Sequence, residues 1–154
     1  MKILIVCLGN ICRSPLAEGI LKTKVPDSIF VDSAGTISLH EGRHPDPRAV
    51  KTAEAHQIDI SEQRSRPVTA DDLENFDKIY CMDHDVMADV ISKARNEEQR
   101  QKISLLMDVP GDHGSAEVPD PYRGGMQEFE NVYQILDRGC GQIARRLHRP
   151  AHRL

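Results

Sequence analysis

Apolar residues along this chain gather into short unbroken runs, separated by longer segments in which they recur every three or four positions. The runs 3–6, 29–32, 78–82 and 102–106 have the length and apolar character of strands buried on both faces, as in a parallel sheet. The segments 15–24, 47–57, 83–92 and 125–147 carry helical spacing instead, the first with Pro15 in its opening turn. Alternation of the two predicts an α/β fold in one domain over residues 1–154, a parallel sheet with helices on both faces. No repeat or low-complexity linker interrupts it. Segment 109–125, with three prolines and four glycines, has no period and reads as a long irregular loop. Loops of that length in compact domains are usually functional. Residues 149–154 are expected to form a loose tail.

Bulk properties narrow the possibilities without naming one. A chain of 154 residues is long enough to bury about 68–70% of its unfolded surface in a single core. No stretch approaches the roughly 20 apolar residues of a membrane span, and the four apolar residues after Met1-Lys2 are too few for a secretory signal. The reading is a cytoplasmic protein without membrane insertion. A net charge of −4 with 4% aromatic residues argues against a nucleic-acid partner, which would want a basic face and stacking platforms. Cys7, Cys12, Cys81 and Cys140 lack both metal-ligand pairing and the density of a disulfide scaffold, so they read as reduced thiols, and no metal or cofactor is expected. His148 and His152 have i, i+4 spacing, but a pair in a basic tail is read as solvated. The cluster Arg145, Arg146, His148, Arg149 and Arg153 complements the negative end of a helix.

The candidate chemistry lies between the first strand and the first helix. Val6 to Pro15 reads Val-Cys-Leu-Gly-Asn-Ile-Cys-Arg-Ser-Pro, which places a cysteine and an arginine six positions apart around one tight loop. Such a loop ends at a helix N-terminus, where unpaired N–H groups and the positive end of the dipole make an anion site without a metal. Cys7 would sit beneath that site at the carboxyl end of a strand, where ligands bind in open sheets of this kind. The remaining loop positions agree: Gly9 allows a positive φ and close backbone approach, and Asn10 tolerates left-handed geometry and can brace the loop through its amide. Ser14 can cap the helix or donate its hydroxyl to a thiolate. Arg13 presents a planar fork of donors matched to two phosphoryl oxygens. Asp120, fixed in extended geometry by Pro121, is a candidate acid for a leaving oxygen.

The run Cys7-Leu8-Gly9-Asn10-Ile11-Cys12-Arg13-Ser14-Pro15 resembles the signature of the low-molecular-weight protein tyrosine phosphatases. The resemblance continues through Asp32-Ser33-Ala34-Gly35, Gly42-Arg43-His44-Pro45-Asp46-Pro47-Arg48, Cys81-Met82-Asp83 and Asp120-Pro121-Tyr122, and covers essentially the whole chain. It implies a four-stranded parallel sheet in a three-layer, Rossmann-like arrangement. It also implies metal-independent hydrolysis of phosphotyrosine and aryl phosphates through a phosphocysteine. The roles it implies are Cys7 as nucleophile, Arg13 as phosphoryl clamp and Asp120 as general acid, with Leu8, Gly9, Asn10, Ile11, Cys12, Arg13 and Ser14 forming the phosphate-binding loop. Ser14 would steady Cys7 as leaving group, and Asn10 would shape the loop.

Leu8, Ile11, Leu39, Tyr122 and Arg123 fall at positions that border the substrate pocket in that family. Leu39 stands where many members carry an aromatic, Arg123 where mammalian members often carry a second tyrosine, and Ile11 where related protein-arginine phosphatases commonly carry threonine. Arg123 and the short length resemble bacterial members acting on tyrosine kinases of capsule and exopolysaccharide export, as a monomer or weak dimer. Cys12 is expected to form a protective disulfide with Cys7 under peroxide, an arrangement that family members with both cysteines favour. Asp46, Arg48, His56 and Asp83 match family positions read as braces around the site. Arsenate reduction on the same loop would need a three-cysteine relay, and no cysteine follows Cys81 closely enough to complete it. A binding-only relative would have lost Cys7, Arg13 or Asp120.

Overall fold

The computed structural model describes residues 1–108 and 116–148. The first part of the predicted irregular loop and the predicted tail, with Arg149, His152 and Arg153, lie outside them.

Four strands form one sheet: β1 (Lys2–Cys7), β2 (Phe30–Gly35), β3 (Lys78–Cys81) and β4 (Ile103–Leu105). Their order is β2-β1-β3-β4 and every pairing is parallel. Successive side chains of β1 serve opposite faces, and both faces are apolar. Ile3, Ile5 and Cys7 join one core cluster, whereas Leu4 and Val6 join the other. The first cluster is roofed by α1 (Arg13–Lys22), α2 (Pro47–Ala55) and α6 (Met126–Leu147), through Leu16, Ile20, Ala49, Ala53, Phe129 and Leu136. The second is covered by α3 (Ala70–Asn75) and α4 (His84–Ile91), through Leu73, Val86 and Val90. A short α5 (Glu97–Gln101) precedes β4.

The boundaries of β1, β3 and β4 fall within one residue of those expected from the apolar runs, whereas β2 continues three residues past the expected end at Asp32, through Ser33 and Ala34 to Gly35. The helices α3 and α5 were not expected. Each is too short to show a period, and each is held by its cap. Thr69 Oγ1 accepts from Asp72 N while Asp72 Oδ2 accepts from Thr69 N, and Asn96 Oδ1 accepts from Gln99 N.

The chain leaves β1 toward β2 on one side and returns to β3 on the other, so the strand order reverses about β1. The crevice beyond the carboxyl end of β1 is therefore the topological switch point at which open α/β sheets take ligands. Cys7 is the last residue of β1, registered against Gly35 of β2, and Val6 is registered against Cys81 of β3. Gly35 cannot be larger, because a Cβ there would lie 2.8 Å from the Leu8 carbonyl oxygen.

Candidate active site

From Cys7 the chain wraps through residues 8–12 into α1. The helix begins at Arg13, two residues earlier than its apolar spacing suggests. The turn is made by Asn10, whose φ is +57°. Of the two residues that could take this geometry, Gly9 does not; asparagine reaches the left-handed region because its side chain bonds locally. Asn10 is buried, and its amide is fully used. Nδ2 donates to Ser14 Oγ at 2.8 Å and to Ser33 Oγ at 3.0 Å, while Oδ1 accepts from Arg66 N at 3.0 Å. Ser33 Oγ in turn donates to Glu18 Oε1 at 2.7 Å.

That network sets the direction of one proton. Ser14 Oγ already accepts from Asn10, which leaves its own hydrogen for Cys7 Sγ, 2.9 Å away. Asn10 N donates to the same sulfur at 3.2 Å. Ser14 therefore does not cap the helix, the other role open to it; the N-cap is Cys12, with no side-chain bond. The backbone N–H groups of Gly9, Ile11, Cys12, Arg13 and Ser14 have no acceptor among the described residues. They lie on the loop that encircles the sulfur, at a helix N-terminus, and favour negative charge there.

Arg13 is buried and anchored along one edge. Its Nη1 donates to Asp83 Oδ2 at 2.8 Å and to the Val118 carbonyl at 2.9 Å. Asp83 also caps α4, Oδ1 accepting from Val86 N at 2.8 Å, so one carboxylate fixes both a helix start and the guanidinium. The Nε–Nη2 edge of Arg13 makes no hydrogen bond among the described residues. Asp120 Oδ2 lies 3.7 Å from Nη2. Asp120 is exposed, with Oδ1 accepting from Tyr122 N at 3.0 Å.

These groups share a cavity of about 210 Å³ lined by Cys7, Leu8, Gly9, Ile11, Cys12, Arg13, Ile37, Leu39, His40, Asp120 and Tyr122. Its floor is polar and its rim apolar: Leu8, Ile37, Leu39 and Tyr122 are all exposed large hydrophobics. Ile37 and His40 were missed in the sequence because they arrive from the segment after β2, whose irregular backbone carries no period. Asn10 and Ser14 stand behind the wall rather than in it, and Arg123 is exposed beyond Tyr122, off the wall.

Cys12 is buried beside Asp46, and desolvation above all, with the nearby carboxylate, pushes its thiol far above the ordinary range. Cys81 and Cys140, fully buried elsewhere, are pushed up to about 12 by desolvation. Of the positions read as braces, Asp83 touches Arg13, and Asp46 and Arg48 lie between the loop and the Asp120 segment. His56 instead bonds Glu130 at 2.9 Å and stacks on Tyr133 between α2 and α6, away from the cavity.

A family model described as low molecular weight phosphotyrosine protein phosphatase matches residues 2–153. The low molecular weight phosphotyrosine protein phosphatase of Sus scrofa is 37% identical over 147 residues, 90% of this chain and 90% of the relative. The low molecular weight protein-tyrosine-phosphatase Wzb of Salmonella typhi is 37% identical over 147 residues, 96% of this chain and 94% of that one. A solved protein tyrosine phosphatase from Entamoeba histolytica superposes with a TM-score of 0.89 at 39% identity, covering 96% of each chain. With a cysteine, an arginine fork and a carboxylate meeting at the switch point of the sheet, the chain belongs to the low molecular weight phosphotyrosine protein phosphatase family.

Proposed function

We propose that the protein hydrolyses phosphotyrosine on proteins, and aryl phosphates generally, in two displacements at Cys7. The observation that carries this reading is the position of Cys7 Sγ, 2.9 Å from Ser14 Oγ and 3.2 Å from Asn10 N, in one cavity with Arg13 and Asp120. In the first displacement the Cys7 thiolate attacks phosphorus. An S–P bond forms as the P–O bond to the tyrosine breaks, and Asp120 gives its proton to the departing phenolate oxygen. In the second, Asp120 as carboxylate takes a proton from water, whose oxygen bonds phosphorus as the S–P bond breaks. Sulfur leaves as the thiolate to which Ser14 donates. Throughout, the free edge of Arg13 and the loop amides hold the phosphoryl oxygens, with their strongest purchase when the group is flattened in transit.

The apolar rim favours an aromatic ester. A phenyl ring can lie against Leu8, Ile11, Leu39 and Tyr122 while its phosphate reaches the floor, whereas the shorter phosphoserine would hold its phosphate away from Cys7. The natural substrates on this reading are phosphotyrosine proteins of the cytoplasm, a bacterial tyrosine kinase of polysaccharide export among them. Cys12 shares the cavity with Cys7 and serves as its disulfide partner under peroxide. A reductase relay is disfavoured, because Cys81 is fully buried and outside the cavity wall.

The test is hydrolysis of p-nitrophenyl phosphate and a phosphotyrosine peptide with chelator present, from about pH 4 to 8. Loss of activity in Cys7→Ser and a large reduction in Asp120→Ala are expected. A well-folded but inactive parent that consumes thiol reductant with arsenate would overturn the reading.

A further inference from the structure

Arg48 makes more contacts than a surface residue of a short helix needs, and they point in one direction. It is the second residue of α2, after Asp46 at the N-cap and Pro47. Asp46 grips it with both oxygens: Oδ1 accepts from Arg48 N at 2.8 Å and from Nε at 3.0 Å, and Oδ2 from Nη2 at 2.9 Å. The other faces of the guanidinium turn to the segment that carries Asp120. Nη1 donates to the Gly124 carbonyl at 2.7 Å and Nη2 to the Tyr122 carbonyl at 2.9 Å. The guanidinium carbon lies 4.6 Å from the ring centroid of Phe129, a fully buried residue in the first turn of α6, and 5.6 Å from that of Tyr122. At the far end, Asp46 N donates to the Ile11 carbonyl of the nucleophile loop at 2.8 Å.

A continuous strap thus runs from Ile11 through Asp46 and Arg48 to Tyr122 and Gly124. Its last bonds fall just beyond Asp120, whose Oδ1 is itself tied to Tyr122 N, and Gly124 N closes the turn onto the Pro121 carbonyl at 2.8 Å. We infer that Arg48 is a positioning residue for the acid, setting the distance and direction of Asp120 relative to the Cys7 loop by holding the carbonyls of Tyr122 and Gly124. The planar fork explains why arginine is needed, since two carbonyls from one loop and one carboxylate must be met in a single plane, which a lysine ammonium cannot do. The bonds to Arg48 hold the Asp46 carboxyl below the usual carboxylate range, so the pair stays charged at neutral pH.

The inference rests on Asp120 being the acid, and the experiment separates the two. Values of kcat/KM are measured for aryl phosphates of graded leaving-group basicity with the parent, Asp120→Ala, Arg48→Met, Arg48→Lys and the double variant Arg48→Met/Asp120→Ala, alongside inhibition by inorganic phosphate. Asp120→Ala should lose most on phenyl phosphate and least on esters of acidic phenols, because only basic leaving groups need the proton; if it does not, the assignment of the acid fails. Arg48→Met should reproduce that pattern in part, losing about 10-fold or more on phenyl phosphate against about 3-fold or less on the most acidic phenol, within the 10²–10⁴-fold span of acid catalysis. Phosphate inhibition should hold, Arg48→Lys should fall between, and Arg48→Met should add nothing once Asp120 is gone. An equal loss on every ester, or a multiplied loss in the double variant, would show a general structural role and overturn the inference. Should Arg48→Met not fold, the same contrast in Arg48→Lys decides.

Discussion

Replacing Ser14 by alanine removes one hydroxyl from beneath the nucleophile and leaves the rest of the loop its partners. Asn10 Nδ2 loses one acceptor but keeps Ser33 Oγ at 3.0 Å, and Arg66 N keeps Asn10 Oδ1, so the left-handed turn should survive at a stability loss of about 1 kcal/mol. The kinetic effect should be larger and confined to one step. The lost contact is 2.9 Å long, buried, and made to an atom that carries full negative charge when phosphate departs. Hydrogen bonds to charged groups contribute about 1.5–3 kcal/mol, which is about 10- to 150-fold in the rate of phosphocysteine hydrolysis. Formation of the intermediate should suffer less, because the same loss leaves the attacking thiolate less stabilised. Rapid mixing of Ser14→Ala with p-nitrophenyl phosphate should therefore release one equivalent of nitrophenolate per site in a burst, followed by slow turnover. Equal slowing of burst and steady phase, or unchanged turnover, would refute the assignment of that proton to Cys7.

Mild peroxide followed by counting of free thiols should show two lost together and recovered by reductant, with the link mapped to Cys7 and Cys12; a Cys7 sulfenic acid with Cys12 still free would remove Cys12 from that role. The buried thiols also predict alkaline weakening. The folded protein holds Cys12, Cys81 and Cys140 protonated far above the ordinary value of 9.0, so their contribution is intact below that pH and lost above it, as the unfolded chain ionises first. Denaturant midpoints should fall from about pH 9 upward as the unfolding free energy drops by up to about 1.4 kcal/mol per pH unit for each thiol, and Cys140→Ala should flatten the slope. A midpoint constant to about pH 11 would contradict it.

The sheet was legible because four apolar runs, each too short for a helix, left no other arrangement, and the proton-carrying loop was legible because Cys7, Asn10, Arg13 and Ser14 are close in sequence. What brings Ser33, Glu18 and Arg66 to that loop is strand pairing and the return of the 65–67 segment to Gly35, contacts that span dozens of residues and leave no local pattern. The same holds for Ile37, His40 and the strap through Arg48, whose partners lie about 75 positions away. Helix α3 is a different kind of omission. Thr69 and Asp72 form a four-residue capping signature in plain view, which marks a helix start that hydrophobic period cannot. Both Gly9 and Asn10 could take the positive φ; Asn10 takes it, since its amide is repaid with three bonds.

Hydrolysis in two displacements requires that the phosphoryl group pass through Cys7. Acid quenching of the protein during turnover of p-nitrophenyl phosphate, with chelator present, followed by mass spectrometry of its peptides, should find one phosphate on the peptide that contains Cys7, localised to that residue, and none in Cys7→Ser. Phosphate on another residue, or turnover that persists in Cys7→Ser, would contradict it.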